Sequence, residues 1–386
     1  MWYFLTEEEK RIQEIARQVA EEIAPSSLAL EAKSRKADMA NMEAIRKLQK
    51  AKLLALHVPK EYGGEGTNFV AWCLAQEEVA KKDLAIANCI SHEACGTNLL
   101  LKMGTKQQTE YYLKKQAIDH DLWGICATEP QGGSDMGNIQ TKATCRNGKY
   151  LLNGTKSWVL NGDVANRHIV WASTDPGKKI RGLSVFIVER DTPGVTVGRS
   201  YVKAGWTGIS TTDLILENAE VPEENRIGEE GDGFKAFLAS LNPGRVGIAA
   251  QALGLAEGAF EYALDYAKQR IVFGRPIADF QAINFKLADM ATAIEAERAL
   301  VYTTARLIDE GHPDADKLTA MAKYHVSDMA VQVTSDAVEI LGGAGYVADH
   351  PVEKMMRDAP GLRIADGTNG IMRLIVTSSL LPKTPR

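Results

Sequence analysis

Four segments of this chain bring together residue types that can hold or transform a ligand. Thr128-Glu129-Pro130-Gln131-Gly132-Gly133-Ser134-Asp135 is a glycine-rich loop directly behind a β-rich run ending near Cys126. Such a loop can bring backbone N–H groups close to a ligand. Lys156-Ser157-Trp158-Val159-Leu160-Asn161-Gly162 follows it. Arg270-Ile271-Val272-Phe273-Gly274-Arg275-Pro276, with Phe280-Gln281 behind it, offers in Arg270 a planar fork of donors. That fork suits a pyrophosphate, which a lysine could not grip as a bidentate contact. Near the C-terminus, Glu339-Ile340-Leu341-Gly342-Gly343-Ala344-Gly345-Tyr346 precedes Arg357-Asp358-Ala359 and then Asp366-Gly367-Thr368. The glycine-rich loop lacks a Gly-Lys-Ser/Thr ending, and GxGxxG is absent, so neither nucleotide hydrolysis nor a Rossmann dinucleotide fold is supported. Taken singly, each segment has a plain structural reading: a surface turn, a sheet-core tryptophan, a solvated arginine, an Asp-Gly-Thr turn.

The elements that must position these residues change texture twice. From Thr6 to about Leu122 the pattern is helical; it opens with Thr6 three residues before Glu9, the form of a capping box, and its first helix is expected to close at Pro25. Between Trp123 and about Glu223, short β-rich runs (Tyr150-Leu151-Leu152, His168 to Trp171, Leu183 to Val188, Leu214 to Leu216) alternate with turn signals, Asn147-Gly148 and Asn153-Gly154 among them. The punctuation is too tight for βαβ units. After Gly233 helical spacing returns, and Ile283, Leu287, Met290 and Ile294 fall on one helix face. We therefore expect a multi-domain α+β protein: an N-terminal helical domain over 1–122, a middle β-domain over 123–235 and a C-terminal four-helix bundle over 236–386, with a cleft at the junction.

Composition narrows the classes of partner. The 386 residues carry a net charge of −5, with basic and acidic residues interspersed, so nothing argues for nucleic acid or an anionic membrane surface. The five cysteines, Cys73, Cys89, Cys95, Cys126 and Cys145, form no CxxC pair and no metal-ligand spacing with histidine, which predicts reduced thiols, no metal and a cytoplasmic setting. The acidic amphipathic start and the lack of any long apolar run predict neither a signal peptide nor a membrane span.

In their order along the chain, the four segments resemble those of the acyl-CoA dehydrogenase family, from the first helix to about Leu381. The resemblance implies FAD as cofactor, with Cys126, Thr128, Gly133, Ser134, Trp158, Leu160, Arg270, Phe273, Gln281, Gly342, Gly343 and Thr368 at its site. In the family the tryptophan covers one side of the isoalloxazine, and the Arg270 and Gln281 counterparts reach the FAD of a neighbouring subunit. Ser134, Ser91, His92, Arg245, Asn242 and Gly367 are the implied acyl-CoA contacts. His92 and Glu93 are also weighed as extra acid or base groups, against the blander reading of a satisfied helix end. The resemblance further implies an acyl-CoA substrate, a homotetramer and an electron-transfer flavoprotein as acceptor.

Three departures from the family pattern shape the expected chemistry. The base, usually glutamate before Gly-Thr, is Asp366; the hydroxyl usually two residues after the tryptophan is replaced by Leu160; and the glutamine usually two residues after the threonine is Gly370. The shorter base withdraws the carboxylate by about 1.5 Å, and a misplacement of about 1 Å can cost on the order of 100-fold in rate. A bulkier α-carbon would fill that gap, so the expected substrate is an alicyclic acyl-CoA such as cyclohexanecarboxyl-CoA, or a branched or short one. The competing readings are a butyryl-type short-chain dehydrogenase, an enoyl-CoA reductase or 1,4-dehydrogenase of a cyclic enoyl-CoA, an oxidase, and a non-catalytic flavin or acyl-CoA binding scaffold.

Overall fold

The computed structural model describes residues 4–34 and 38–381. Five α-helices come first: α1 (Glu7–Ser34), α2 (Met42–Lys50), α3 (Phe69–Ala80), α4 (Leu84–Met103) and α5 (Lys106–Ala117). The capping box is formed as expected: Thr6 N–H donates to the Glu9 carboxylate at 2.8 Å and Glu9 N–H to Thr6 Oγ1 at 3.3 Å. The expected stop at Pro25 is not there, because α1 runs through it to Ser34. An internal proline costs a helix roughly 3 kcal/mol. That cost is offset by burial on both sides, with Ile12, Ala16, Val19 and Ile23 before it and Ser27 and Glu31 after it, and by the Arg357 guanidinium holding Glu31 at 2.6 Å.

Strands then take over: β1 (Trp123–Cys126), β2 (Lys142–Arg146), β3 (Lys149–Leu160), β4 (Arg167–Ser173), β5 (Leu183–Glu189), β6 (Val195–Ser200), β7 (Thr211–Pro222) and β8 (Arg226–Ile227). They form one sheet in the order β6-β7-β3-β2-β4-β5-β8, with β1 pairing β4 in parallel. Asn147 and Gly148 link β2 to β3 with φ of 51° and 74°, the two positive angles that a tight hairpin of this type requires. Asn153-Gly154, expected as a second turn, instead lies inside β3 at a register shift against β7. Asn153 is spent across the strands on Asn218, and a Cβ on Gly154 would stand 2.4 Å from Thr141 Oγ1. The Asn-Gly pair therefore marks a bulge with close approach of a neighbouring segment.

The last third is again helical: α6 (Gly233–Leu241), α7 (Gly244–Gln269), the short strands β9 (Ile271–Val272) and β10 (Arg275–Pro276), α8 (Gln281–Asp309), α9 (Ala315–Leu341), α10 (Val352–Leu362) and α11 (Asn369–Leu380). On α8, Leu287, Met290 and Ile294 are buried and Ile283 packs at the edge of the same core. Helices α3 and α4 share that core with α7, α8, α9 and α10, so the two helical regions are continuous. A second cluster, including Leu99, Leu113, Trp123, Trp171 and Val185, seals α4 and α5 against one face of the sheet. Among the described residues no helix is long and apolar enough to cross a membrane, no group of metal-ligating side chains forms, and Cys73, Cys89, Cys95, Cys126 and Cys145 are all free thiols.

Candidate active site

The loop between α10 and α11 carries the carboxylate, and its backbone is set by two successive positive angles, 52° at Asp366 and 95° at Gly367. Glycine takes that conformation freely; aspartate is among the few side chains that tolerate it. Arg245 Nε, at the start of α7, donates to the Asp366 carbonyl at 3.2 Å, and Lys323 Nζ, on α9, donates to the Gly367 carbonyl at 2.7 Å. Thr368 then caps α11 by accepting from Ile371 N–H at 3.4 Å. No hydrogen bond joins the Asp366 N–H to the described protein, which leaves it available to a carbonyl ligand.

The Asp366 carboxyl faces a small-residue wall. A Cβ placed on Gly244 would lie 3.9 Å from Asp366 Oδ2 and 3.9 Å from Cys95 Sγ, so α7, α4 and the base loop meet here. Loss of solvent raises the Asp366 pKa above the ordinary carboxylate range, with Lys323 and then Arg245 holding it back. A carboxylate made more basic by desolvation is suited to taking a proton from carbon near neutral pH. Cys95 is buried and its thiol is pushed well up, first by burial and then by Asp366, so it is a neutral wall rather than a nucleophile. Ser91, one turn earlier on α4, is buried, and its hydroxyl has no partner among the described residues.

The middle domain supplies a shelf. Ser157 N–H donates to the Thr128 carbonyl at 2.9 Å, which binds the glycine-rich loop to the strand carrying Trp158. Beneath it, Lys156 Nζ and Glu129 Oε1 form a fully buried pair at 2.7 Å, and Glu129 also accepts from Gln140 N–H and Thr141 N–H. These two charges fix the loop and do no chemistry of their own. Trp158, at φ 62°, is 55% exposed and stacks on Tyr201 with ring centroids 4.0 Å apart. A large, half-exposed aromatic plane beside a glycine-rich loop fits a flat cofactor ring. Leu160 is half-buried against the helical core and brings no polar group to that edge.

Arg357-Asp358-Ala359 is the latch between shelf and base loop. Asp358 accepts from Trp206 N–H at 2.6 Å, Trp206 Nε1 donates to the Asp358 carbonyl at 2.9 Å, and Arg357 reaches the Ala204 carbonyl at 2.8 Å. The segment following Tyr201 is thereby tied to α10, which leads into Asp366.

The other expected residues are placed as follows. Cys126 is fully buried in the sheet core, its thiol donating to the Gly124 carbonyl at 3.8 Å and its backbone paired with Val170. His92 Nε2 faces the Trp123 carbonyl at 3.1 Å, and Glu93 accepts the Trp123 N–H at 3.1 Å. Both are spent on tying α4 to β1. Arg245, expected to meet CoA, is 5% exposed and braced between the Asp366 carbonyl and Asn242 Oδ1, the latter at 2.7 Å. Ser134 is exposed in its loop, and Gly133 would crowd Thr128 Oγ1 at 3.0 Å if it carried a Cβ. Gly342 and Gly343 have open space where a side chain would stand. Arg270 and Gln281 face solvent, and Phe273 at the β9–β10 turn is 92% exposed; among the described residues no hydrogen bond links them to the Trp158 shelf. Lys323 was not singled out by its type, yet it sits with Ala320, Ser327 and Ala330 on the buried stripe of α9, a placement that marks a committed lysine.

Three sequence models cover nearly the whole chain: the acyl-CoA dehydrogenase N-terminal domain over 6–118, the middle domain over 124–219 and the C-terminal domain over 231–381. The chain belongs to the acyl-CoA dehydrogenase family. An acyl-CoA dehydrogenase of Bacillus subtilis is 46% identical over 382 residues, spanning 98% of this chain and 100% of the relative. A cyclohex-1-ene-1-carbonyl-CoA dehydrogenase of Geobacter metallireducens is 40% identical over 379 residues, spanning 98% of this chain and 99% of that one. The butyryl-CoA dehydrogenase structure from Megasphaera elsdenii superposes with a TM-score of 0.95 at 38% identity, covering 98% of this chain and 99% of the other. As an acyl-CoA dehydrogenase the chain is an FAD-dependent oxidoreductase acting on CH–CH bonds. Its three-domain order of helices, sheet and helices is the family's architecture.

Proposed function

We propose that this acyl-CoA dehydrogenase oxidises a short acyl-CoA with a substituted α-carbon, an alicyclic ester such as cyclohexanecarboxyl-CoA foremost, with Asp366 as the base. The observation that carries this reading is the wall facing Asp366: a short carboxylate, made more basic by burial, opposite Gly244 and Cys95. Glycine and cysteine leave room for a ring where a longer base would itself have reached in. The 40% identity to a dehydrogenase of a cyclic acyl-CoA supports the same class. Asp366 takes the α-proton, and its free N–H polarises the thioester carbonyl, acidifying that proton. FAD, when bound, supplies the acceptor for the β-hydride. Thr128, Gly133, Ser134, Trp158 and Leu160 would hold the flavin end, and Arg270, Phe273, Gln281, Gly342, Gly343 and Thr368 the remainder. Ser91, Asn242 and Gly367 would line the acyl-CoA path, with His92 behind them.

The solvent-facing Arg270, Phe273 and Gln281 are the reason to place part of this cofactor site at a contact between subunits, in a homotetramer of the family type. We assign the electrons to an electron-transfer flavoprotein and the enzyme to the cytoplasm, domains being divided near 122 and 235. Anaerobic titration of the purified FAD protein with butyryl-, isobutyryl-, glutaryl- and cyclohexanecarboxyl-CoA tests the substrate. Selective loss of flavin absorbance with the cyclic ester is expected. Equal or faster loss with butyryl-CoA contradicts the alicyclic assignment, and loss with none of them contradicts the dehydrogenase direction. Rapid reoxidation of the reduced protein by air would favour oxidase chemistry at the Leu160 edge.

A further inference from the structure

Lys323 is buried without exposure on α9, yet the proposed reaction gives it no task. Its ammonium donates to the Gly367 carbonyl at 2.7 Å and to Asn369 Oδ1 at 3.1 Å. Asn369, the first residue of α11, is itself fixed by three bonds from its amide: to Ser327 Oγ at 2.9 Å, to Asp328 Oδ1 at 3.1 Å and to the Tyr324 carbonyl at 3.2 Å. The carbonyls of Asp366 and Gly367 are thus each bound by a different buried cation, Arg245 from α7 and Lys323 from α9. Two adjacent peptide planes held this way fix the left-handed turn that aims the carboxylate at Gly244 and Cys95. A buried ammonium with only neutral acceptors is costly, and a neutral donor could have made the same two bonds. The carboxylate of the neighbouring residue supplies the reason for a charge.

We propose that Lys323 is a positioning residue of the base loop, holding Asp366 in its left-handed turn and supplying the counter-charge that keeps its carboxylate ionised. The inference rests on the reading of Asp366 as the proton acceptor. The charged and titratable groups around the pair are few. Asp366 faces Lys323 from α9, Arg245 from α7 and Cys95 from α4. Lys323 in turn feels Asp366, Arg245 and Asp328, and Arg245 also feels Asp316. Burial brings the Lys323 pKa down to about 8, with Asp366 opposing that shift, so the lysine is charged at neutral pH. Of the two cations near Asp366, Lys323 exerts the larger pull on its carboxyl.

The test separates charge from structure. Lys323→Gln keeps a donor without the charge; Lys323→Arg keeps the charge. Infrared pH titration of the FAD-loaded protein reads the Asp366 carboxyl directly, its band located by subtraction of Asp366→Asn. Because an opposite charge nearby typically lowers a carboxyl pKa by about 1 to 3 units, Lys323→Gln is expected to raise the Asp366 midpoint by about one unit or more, and Lys323→Arg to restore the parent value. A parental midpoint in Lys323→Gln overturns the proposal. Should the glutamine variant fail to fold, Lys323→Arg decides: an unchanged midpoint supports the role and a raised one overturns it. Anaerobic bleaching by cyclohexanecarboxyl-CoA is run in parallel, and its rising pH limb is expected to move with the infrared midpoint. A parent enzyme that no acyl-CoA bleaches counts against the dehydrogenase reading alone, since the infrared midpoints still decide the part played by Lys323.

Discussion

On the reading proposed above, Asp366 does with one methylene fewer what a glutamate does elsewhere in the family, and its surroundings fit that shorter reach. Its backbone is pinned at a positive angle, its carboxyl loses solvent, and the facing position on α7 is Gly244. Restoring the methylene in Asp366→Glu should push the carboxylate about 1.5 Å outward into the space that the proposed ring would fill. The ratio of butyryl-CoA to cyclohexanecarboxyl-CoA reduction rates is then expected to rise at least about tenfold, in line with the steep rate cost of misplacement; stopped-flow flavin bleaching measures it. The place of this residue before Gly-Thr was legible in the sequence. Its bracing was not, because Arg245 and Lys323 lie 121 and 43 residues away and meet the loop only through backbone carbonyls. The Glu129–Lys156 pair was hidden for the same reason: its partners stand 27 residues apart in separate segments, and only burial shows them satisfied by each other.

Helix α7 is the element on which the site depends, since it carries Gly244 and Arg245 at one end and packs on α3 along its length. Its other glycines are there for that packing. A Cβ on Gly254 would stand 2.2 Å from the Glu77 carbonyl oxygen and one on Gly258 2.5 Å from that of Lys81, distances that force the helices apart. Gly254→Ala is therefore expected to destabilise the protein by about 1–3 kcal/mol, the usual cost of overpacking. Gly244→Ala meets only ordinary contacts at 3.9 Å and should leave the unfolding midpoint unchanged or slightly raised while slowing the cyclic ester more than butyryl-CoA. Denaturant titration and single-turnover bleaching of the two variants distinguish these outcomes. Helical and β texture along the chain predicted such elements well wherever periodicity was long. It failed at Pro25 and Asn153-Gly154, where tertiary contacts with Arg357, Asn218 and Thr141 override a local turn signal.

Across the whole molecule, burial of neutral histidines works against acid tolerance. His57, His92 and His168 are buried, and loss of solvent lowers each pKa to about 4 from an ordinary 6.5. Between those values the unfolded chain protonates these three rings while the native protein does not, so their contribution to stability is fully present above about pH 6.5 and is lost as pH falls toward 4, opposed by buried Glu77 and Glu93, whose pKa burial raises. NMR titration of the three imidazoles in the folded protein should give midpoints near 4, and midpoints near 6.5 would contradict the burial of these rings. None of the three histidines was legible as a stability element, since isolated histidines carry no pattern. The three-part architecture was legible, because domain-sized changes of periodicity survive any local error. What joins its parts, the Trp206–Asp358 and Arg357–Ala204 contacts, depends on residues 152 and 153 positions apart.

On the proposed reading, Asp366 removes the α-proton of a ring-bearing acyl-CoA. Single-turnover anaerobic flavin reduction by cyclohexanecarboxyl-CoA, protio and deuterated at the α-carbon, measures it in the parent and in Asp366→Asn. A primary isotope effect is expected in the parent and a loss of about 100- to 10,000-fold in the variant, the range for a missing general base, with FAD content unchanged. Reduction of Asp366→Asn at the parent rate would contradict it.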